Sequence, residues 1–365
     1  MRALSSLGLA AVLVTACARP GTGLEPIGVS ADGTQFVRGE SGARFTPWGF
    51  NHDHDEAGRL LEDYWQEEWP TVVEDFAEMR ALGANVVRIH LQIARFLTSA
   101  DTLDSESLGR LADLVALAES TGLYLDLTGL GCYHKADVPA WYDALAEAER
   151  WNAQAVFWRG VASVCAGSPA VFCYDLMNEP ILPGAGAPET DWLAGAFAGK
   201  HFSQRIALDL GARTREQVAE AWVGQMVAAI REHDPQHLIT VGVIPWALAF
   251  PGARPIFYAT PVAEKLDFVS VHFYPETGQV DAALAALAVY DLGKPLVIEE
   301  TFPLRCGIED FAAFVERARP IAHGWIGFYW GSTREQCAAQ ETLRGALMAS
   351  WLDYFRAKTA AMSGR

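Results

Sequence analysis

The chain has 365 residues, of which 51% are hydrophobic and 20% charged, and it carries a formal net charge of −17. That length and apolar content suffice to bury a large core, and the acidic balance excludes nucleic acid as a natural partner, because a phosphate binder needs a basic face. An acidic surface also repels polyanions and suits a neutral ligand such as a sugar chain, although the same charge serves solubility alone.

Met1-Arg2 supplies one early positive charge, and the apolar run Leu7 to Val14 is too short for a stable membrane span. It ends in Val14-Thr15-Ala16-Cys17, which resembles the bacterial lipobox, where cleavage before the Cys leaves a lipid-modified N-terminus. The expectation is a lipoprotein-type signal over 1–16, an anchor at Cys17 and a linker over 17–24, with cleavage near Ala16 or Ala18 as the plain-signal alternative. Either places the protein outside the cytoplasm of a bacterium: anchored by lipid at the cell surface or in the periplasm, or secreted. Cys132, Cys165, Cys173, Cys306 and Cys337 form no CxxC pair. An oxidising compartment permits disulfides, and Cys306 with Cys337 is the expected pair, leaving Cys165 and Cys173 as buried thiols.

Alternation and turn residues predict a small hairpin over Ile27 to Arg44, turning near Asp32-Gly33. Strands are then expected at Arg44–Phe50, Asn85–Leu91, Leu123–Gly129, Val171–Met177, Leu238–Val243, Phe268–Phe273, Leu296–Glu300 and Trp325–Trp330. Helix-period segments lie between and after them: Trp69–Leu82, Ser105–Ser120, Glu149–Ala166, Thr214–His233, Val280–Tyr290, Ile308–Ala318 and Glu341–Phe355. The strands read as nearly continuous apolar runs, as parallel strands covered on both faces do. Eight β/α repeats without a Gly-rich phosphate loop predict an α/β fold, a (β/α)8 TIM barrel filling one domain over 25–365. A doubly wound open sheet is the rival.

Such a barrel gathers the C-terminal ends of its strands at one mouth, where active sites form. Those ends are polar here: Arg88 and His90 on strand 2, Asn178-Glu179-Pro180 on strand 4, His272-Phe273-Tyr274 on strand 6, Glu299-Glu300 on strand 7 and Tyr329-Trp330 on strand 8. Two carboxylates facing each other across an aromatic mouth suit glycosidic cleavage, one protonated for the leaving oxygen and one ionised.

Tyr174 to Pro180, reading Tyr-Asp-Leu-Met-Asn-Glu-Pro, resembles the strand-4 signature of glycoside hydrolase family 5, the cellulase and mannanase family of the retaining (β/α)8 clan. Asn85 to Ile89, Val271 to Tyr274, Lys294 to Glu300 and Trp325 to Trp330 resemble its strands 2, 6, 7 and 8, so the likeness runs over most of the mature chain. The resemblance implies Glu179 as general acid/base, Asn178 on the sugar 2-hydroxyl, Glu300 as nucleophile and Arg88 as the cation that keeps it ionised. It further implies His272 and Tyr274 beside substrate and nucleophile, Trp330 as a floor under the reacting sugar, and no cofactor or metal. Glu299 competes with Glu300. Successive strand residues face opposite sides, so one of the two is expected to face the axis, and alignment from Lys294-Pro295 favours Glu300.

Where the family usually has a His at the end of strand 3, this chain has Thr128. His134 or Tyr133 from the following loop, or His90, is the expected replacement. In His52-Asp53-His54-Asp55 a substrate-lining loop is the favoured reading, with His52 nearest the sugar, over a metal site. The insert from Ile181 to Gly211 is expected to cap the cleft beside Glu179, with His201-Phe202 facing the leaving-group side. The resulting expectation is a monomeric retaining hydrolase of a β-linked oligo- or polysaccharide, with transglycosylation open. The rivals are an inactive, lipid-anchored sugar-binding protein and a metal-dependent hydrolase using His52, Asp53 and His54.

Overall fold

The computed structural model describes residues 23–52, 58–184, 186, 188–197 and 199–362. Cys17 and Asp53, His54 and Asp55 lie outside them. Eight fully buried parallel strands form the centre: β1 Trp48–His52, β2 Val86–Gln92, β3 Tyr124–Gly131, β4 Val171–Asp175, β5 Leu238–Thr240 continuing as Gly242–Val243, β6 Val269–His272, β7 Leu296–Thr301 and β8 Gly324–Gly327. Each pairs with its sequence neighbour, and Trp325 of β8 pairs with Trp48 of β1. The two parts of β5 divide their partners: Leu238–Thr240 pairs with β4 and Gly242–Val243 with β6. The ring is therefore closed, and the expected barrel is observed rather than an open sheet.

The helices form where periodicity and caps coincide. Trp69–Leu82 carries Pro at its N-terminus and ends at Gly83, whose φ is 103°; only glycine adopts that conformation without strain. Ser105–Thr121 begins at Asp104, whose side chain accepts the Ser107 amide at 2.8 Å, a standard N-cap. Arg215–Arg231 starts with a Thr214/Gln217 capping box. No described helix is long and apolar enough to cross a membrane.

The N-terminal segment departs from a plain hairpin. Ile27–Val29, Phe36–Arg38 and Arg44–Phe45 form a three-stranded antiparallel sheet, so Arg44–Phe45 belongs to it and not to β1. Pro47 lies at the break, where a missing N–H weakens a continuous ladder. The sheet plugs the base of the barrel. Phe36 meets Phe172 and Phe268 edge-on at 5.2 and 5.1 Å, beside Val86, Tyr124, Val297 and Ile326. With the base sealed by aromatic packing, the polar strand ends at the opposite mouth are where a ligand can enter.

The expected Cys306–Cys337 bridge is not formed, because Cys306 carries a free thiol. Cys337 lies on helix Arg334–Ala339, its sulfur 4.0 Å from the Ser332 carbonyl. Following two late strands does not bring two side chains within the roughly 4 Å between Cβ atoms that a disulfide demands.

Candidate active site

Arg88, fully buried on β2, organises the mouth. Its Nη1 donates to Glu300 Oε1 at 2.7 Å and to Asn51 Oδ1 at 2.9 Å. Its Nη2 donates to Asp175 Oδ2 at 2.7 Å and to Asn178 Oδ1 at 2.9 Å. One guanidinium thus fixes groups from β1, β4 and β7, a use of the planar fork that a lysine cannot copy. Tyr274 completes the hold on Glu300 by donating to Oε2 at 2.7 Å. Burial and the Glu300 charge push the Tyr274 hydroxyl well above its usual range, so it remains a donor.

Glu179 stands opposite. Its backbone has a positive φ of 45°, uncommon outside glycine and of the kind that gathers at functional sites. The Glu179 amide is tied to the Gly242 carbonyl at 2.9 Å. Its Oε1 lies 2.9 Å from His272 Nδ1, and its Oε2 accepts from Ser203 Oγ at 3.2 Å. One carboxylate oxygen each of Glu179 and Glu300 and a ring nitrogen of His272 lie within 4.8 Å of one another. Two carboxylates with oxygens this near one another can both reach the anomeric centre of one sugar. Burial pulls the His272 imidazole down, but the carboxylates of Glu300, Glu179 and Glu299 override it and raise it to about 10.

The expectation that only one of Glu299 and Glu300 faces inward is corrected. Both do. Val271 pairs with Ile298 but His272 pairs with Glu300, and the register with β8 slips between Ile298 and Thr301. Two residues of β7 therefore oppose one of β6, a bulge that cancels the usual alternation. Glu300 reaches the mouth. Glu299 is 0% exposed and lies beneath it, accepting from Ser270 Oγ at 3.1 Å. Gly242 makes room for this layer: a Cβ there would stand 2.4 Å from Glu299 Oε2 and 2.8 Å from His272 Nε2.

The other predicted residues divide. Asn178 joins the site, anchored by Arg88 and by its own Nδ2 donating to the Phe202 carbonyl at 2.7 Å. His90 pairs with the Tyr133 hydroxyl and lies 3.3 Å from Asn51 Oδ1, so of the proposed replacements for the strand-3 His these two meet. His134 is half-buried on the following loop, at the start of the short turn Lys135–Asp137. Thr128 itself donates to Asp175 Oδ2 at 2.9 Å. His52 differs from expectation: its Nε2 lies 3.1 Å from Asp75 on helix Trp69–Leu82 and 3.5 Å from the Tyr64 hydroxyl. Strand alternation turns it outward and sends Asn51 inward. Trp330 also differs. It is 2% exposed and packs against His52, ring centroids 5.7 Å apart, whereas Phe328 and Tyr329 at that strand end are half-buried, the Phe328 ring 6.4 Å from that of Tyr274.

Sequence reading missed Asn51, Asp175 and Ser203. Asp175, in the middle of the Tyr-Asp-Leu-Met-Asn-Glu-Pro run, was detectable as a charge inside a buried strand. Burial and Glu299 push its carboxyl up to about 6, against the pull of Arg88. Ser203 was not detectable. It sits on the insert, where Pro180–Ile181, Leu193–Phe197 and Lys200–Arg205 form a three-stranded sheet. That sheet lies beside Glu179, and it meets the site through Ser203 Oγ on Glu179 and the Phe202 carbonyl on Asn178.

The family model described as cellulase (glycosyl hydrolase family 5) matches residues 39–301. No curated protein matches the sequence. Among solved structures, an exo-β-1,4-mannosidase from Opitutaceae bacterium strain TAV5 superposes with a TM-score of 0.68 at 18% identity, over 92% of this chain and 63% of its own. The chain thus spans less than two thirds of that protein. A Thermobifida fusca endoglucanase catalytic domain gives 0.58 at 16% identity, over 91% and 96%. A Streptomyces thermolilacinus β-mannanase with mannohexaose gives 0.53 at 20%, over 85% of each chain. At such identities these structures speak for the fold. The family match covers most of the chain, including Arg88, Asn178, Glu179, His272, Tyr274 and Glu300, and it settles the assignment: this chain belongs to glycosyl hydrolase family 5, whose members are retaining glycosidases acting on β-glycans.

Proposed function

We propose that this hydrolase cleaves a β-linked oligo- or polysaccharide by double displacement, with Glu300 as nucleophile and Glu179 as acid/base. The observation that carries the reading is the hold on Glu300: both its oxygens are engaged, by Arg88 and by Tyr274, at 2.7 Å each, and Glu179 faces it across a short gap. Glu300 attacks the anomeric carbon while Glu179 gives its proton to the departing glycosidic oxygen. Glu179 then takes a proton from water, which attacks the glycosyl-enzyme and frees Glu300. A second sugar hydroxyl in place of that water gives transglycosylation. Asn178, fixed at both ends of its amide, presents a rigid edge to the sugar bound between the carboxylates.

A chain-like substrate is favoured by Trp246 and Phe250, which follow β5 at the mouth. They are 43% and 62% exposed with ring centroids 6.2 Å apart, and flat apolar sugar faces stack on such rings. The deciding experiment offers β-1,4-mannan, β-glucan, xylan and aryl β-glycosides and follows the product anomer by proton NMR. The β-anomer is expected to appear first and mutarotate to α. An initial α-product, or undiminished turnover by Glu179→Gln, defeats the mechanism.

We extend the proposal to location: an exported bacterial lipoprotein held at the membrane through Cys17 and acting as a monomer. Its support is the Val14-Thr15-Ala16-Cys17 run after a short apolar stretch. Cells fed a radiolabelled fatty acid are expected to label the wild type and not Cys17→Ala; label on both sinks the anchor.

A further inference from the structure

Below the mouth lies a layer of ionisable groups that the double displacement does not use. Asp126 from β3 and Glu299 from β7 are both fully buried, and His272 from β6 stands directly above Glu299. Three features of this layer are unusual. Asp126 Oδ1 and Oδ2, Glu299 Oε2 and His272 Nε2 have no hydrogen-bond partner within the described structure. Glu299 Oε2 lies 3.6 Å from His272 Nε2 and 3.7 Å from Arg88 Nη2. Glu299 occupies the extra position of the β7 bulge, so the chain departs from regular pairing to place it there.

Buried polar atoms rarely go unpaired, and each one left so costs about 1–3 kcal/mol. Two protons give three of these four atoms a partner. One on Asp126 turns a pair of repelling carboxylates into a donor and an acceptor. One on His272 Nε2 gives Glu299 a second donor, and because Nδ1 already faces Glu179 at 2.9 Å, the ring then carries both protons and is cationic.

We propose that Glu299 is a positioning residue for the acid/base: from beneath the mouth it anchors the Nε2 edge of His272, so that Nδ1–H is held on Glu179 Oε1 throughout the reaction. The inference rests on Glu179 as the proton-transfer group. It explains why two adjacent glutamates are both turned inward, one for the sugar and one for the histidine.

The charges facing His272 agree. Glu179 meets it from the end of β4 and Glu300 from β7 at 3.5 Å, in addition to Glu299. Asp175 from β4 approaches the same side of Gly242, and Arg88 from β2 is the opposing cation. Tyr274 remains neutral. Burial pushes the Glu299 carboxyl up, but Arg88 and His272 hold it down at about 2. Burial and the Glu299 charge raise Asp126 well above the carboxylate range, so it keeps its proton.

The test begins with the wild-type full chain. Nitrogen-15 NMR of the histidine rings, with the His272 signals assigned by their loss in His272→Gln, is expected to show an imidazolium from pH 5 to 9. A neutral ring at pH 7 overturns the proposal without any Glu299 variant. In Glu299→Gln the ring is expected to titrate inside that window. kcat/KM is expected to fall by about 10- to 100-fold, with a new ionisation in its pH profile that the wild type lacks. The double variant with His272→Gln is expected to be no worse than His272→Gln alone, since Glu299 acts through the ring. If Glu299→Gln lowers only the melting temperature and leaves the profile and ring titration as in wild type, Glu299 is structural and the proposal fails. Full turnover by Glu179→Ala sinks the catalytic reading instead, and leaves the ring titration to be judged by itself.

Discussion

Glu300→Gly is expected to lower kcat on an aryl β-glycoside by roughly 10⁴-fold or more, and added azide to restore turnover with the α-glycosyl azide as product. Without the nucleophile, no glycosyl-enzyme forms. The space left by the carboxylate admits a small anion, which attacks the anomeric carbon from the side Glu300 occupied, giving one displacement and inverted configuration. Glu179→Ala is expected to behave differently. With a good leaving group the glycosyl-enzyme still forms, the second step slows, and azide then yields the β-glycosyl azide after two displacements. Glu299→Gly provides the contrast: its carboxylate is buried beneath the mouth and bonded to Ser270 Oγ, so azide gives no rescue. Azide rescue of Glu299→Gly but not of Glu300→Gly would exchange the two roles.

The second large effect is expected from Arg88→Met. Arg88 Nη1 and Nη2 each lie 2.7 Å from a carboxylate, of Glu300 and of Asp175, and Glu299 lies 3.7 Å away. Truncating it leaves these buried groups without their cation, and breaking such a pair costs about 3–5 kcal/mol of stability. Urea unfolding reads that loss as a lower midpoint at unchanged slope. Activity should fall by more than the folded fraction alone explains, because Asn51, Asn178 and Glu300 lose a common anchor. Arg88→Lys should restore part of the stability but little of the activity, because a single ammonium cannot serve four acceptors in one plane. Wild-type activity in Arg88→Met would show that the cluster is not what orients Glu300.

His272 carries a pH consequence. Its folded value, about 10, lies above the ordinary value of 6.5. The cluster's contribution to stability is therefore fully present below about pH 6.5 and is lost as pH rises through 10. Thermal melts at rising pH should show a decline in that window, and His272→Gln should remove this component of it.

Much of the architecture was legible because it depends on local pattern. Apolar strands alternating with capped helical segments announce a barrel, and helices Trp69–Leu82 and Ile308–Ala318 have the boundaries their periodicity predicts. Residues such as Arg88, Glu179 and Tyr274 stood out as polar groups at the ends of apolar runs. Where one apolar run becomes two elements the pattern misleads: Arg44–Phe45 pairs with the nearby Phe36 and Val37, whereas Trp48 pairs with the distant Trp325, and only the pairing separates the two.

The amino-acid sequence by itself favoured the α/β barrel through its periodicity, and its likeness to the family's strand motifs pointed to that family and to Glu179 and Glu300 as the carboxylate pair. Tertiary structure alone decided which way the ends turn. A bulge in β7 brought Glu299 inward beside Glu300, alternation in β1 put Asn51 on Arg88 and turned His52 toward Asp75, and packing buried Trp330 while leaving Phe328 half-exposed. A one-residue shift in register reverses a side chain's face, and register is set by neighbouring strands rather than by the residue that turns.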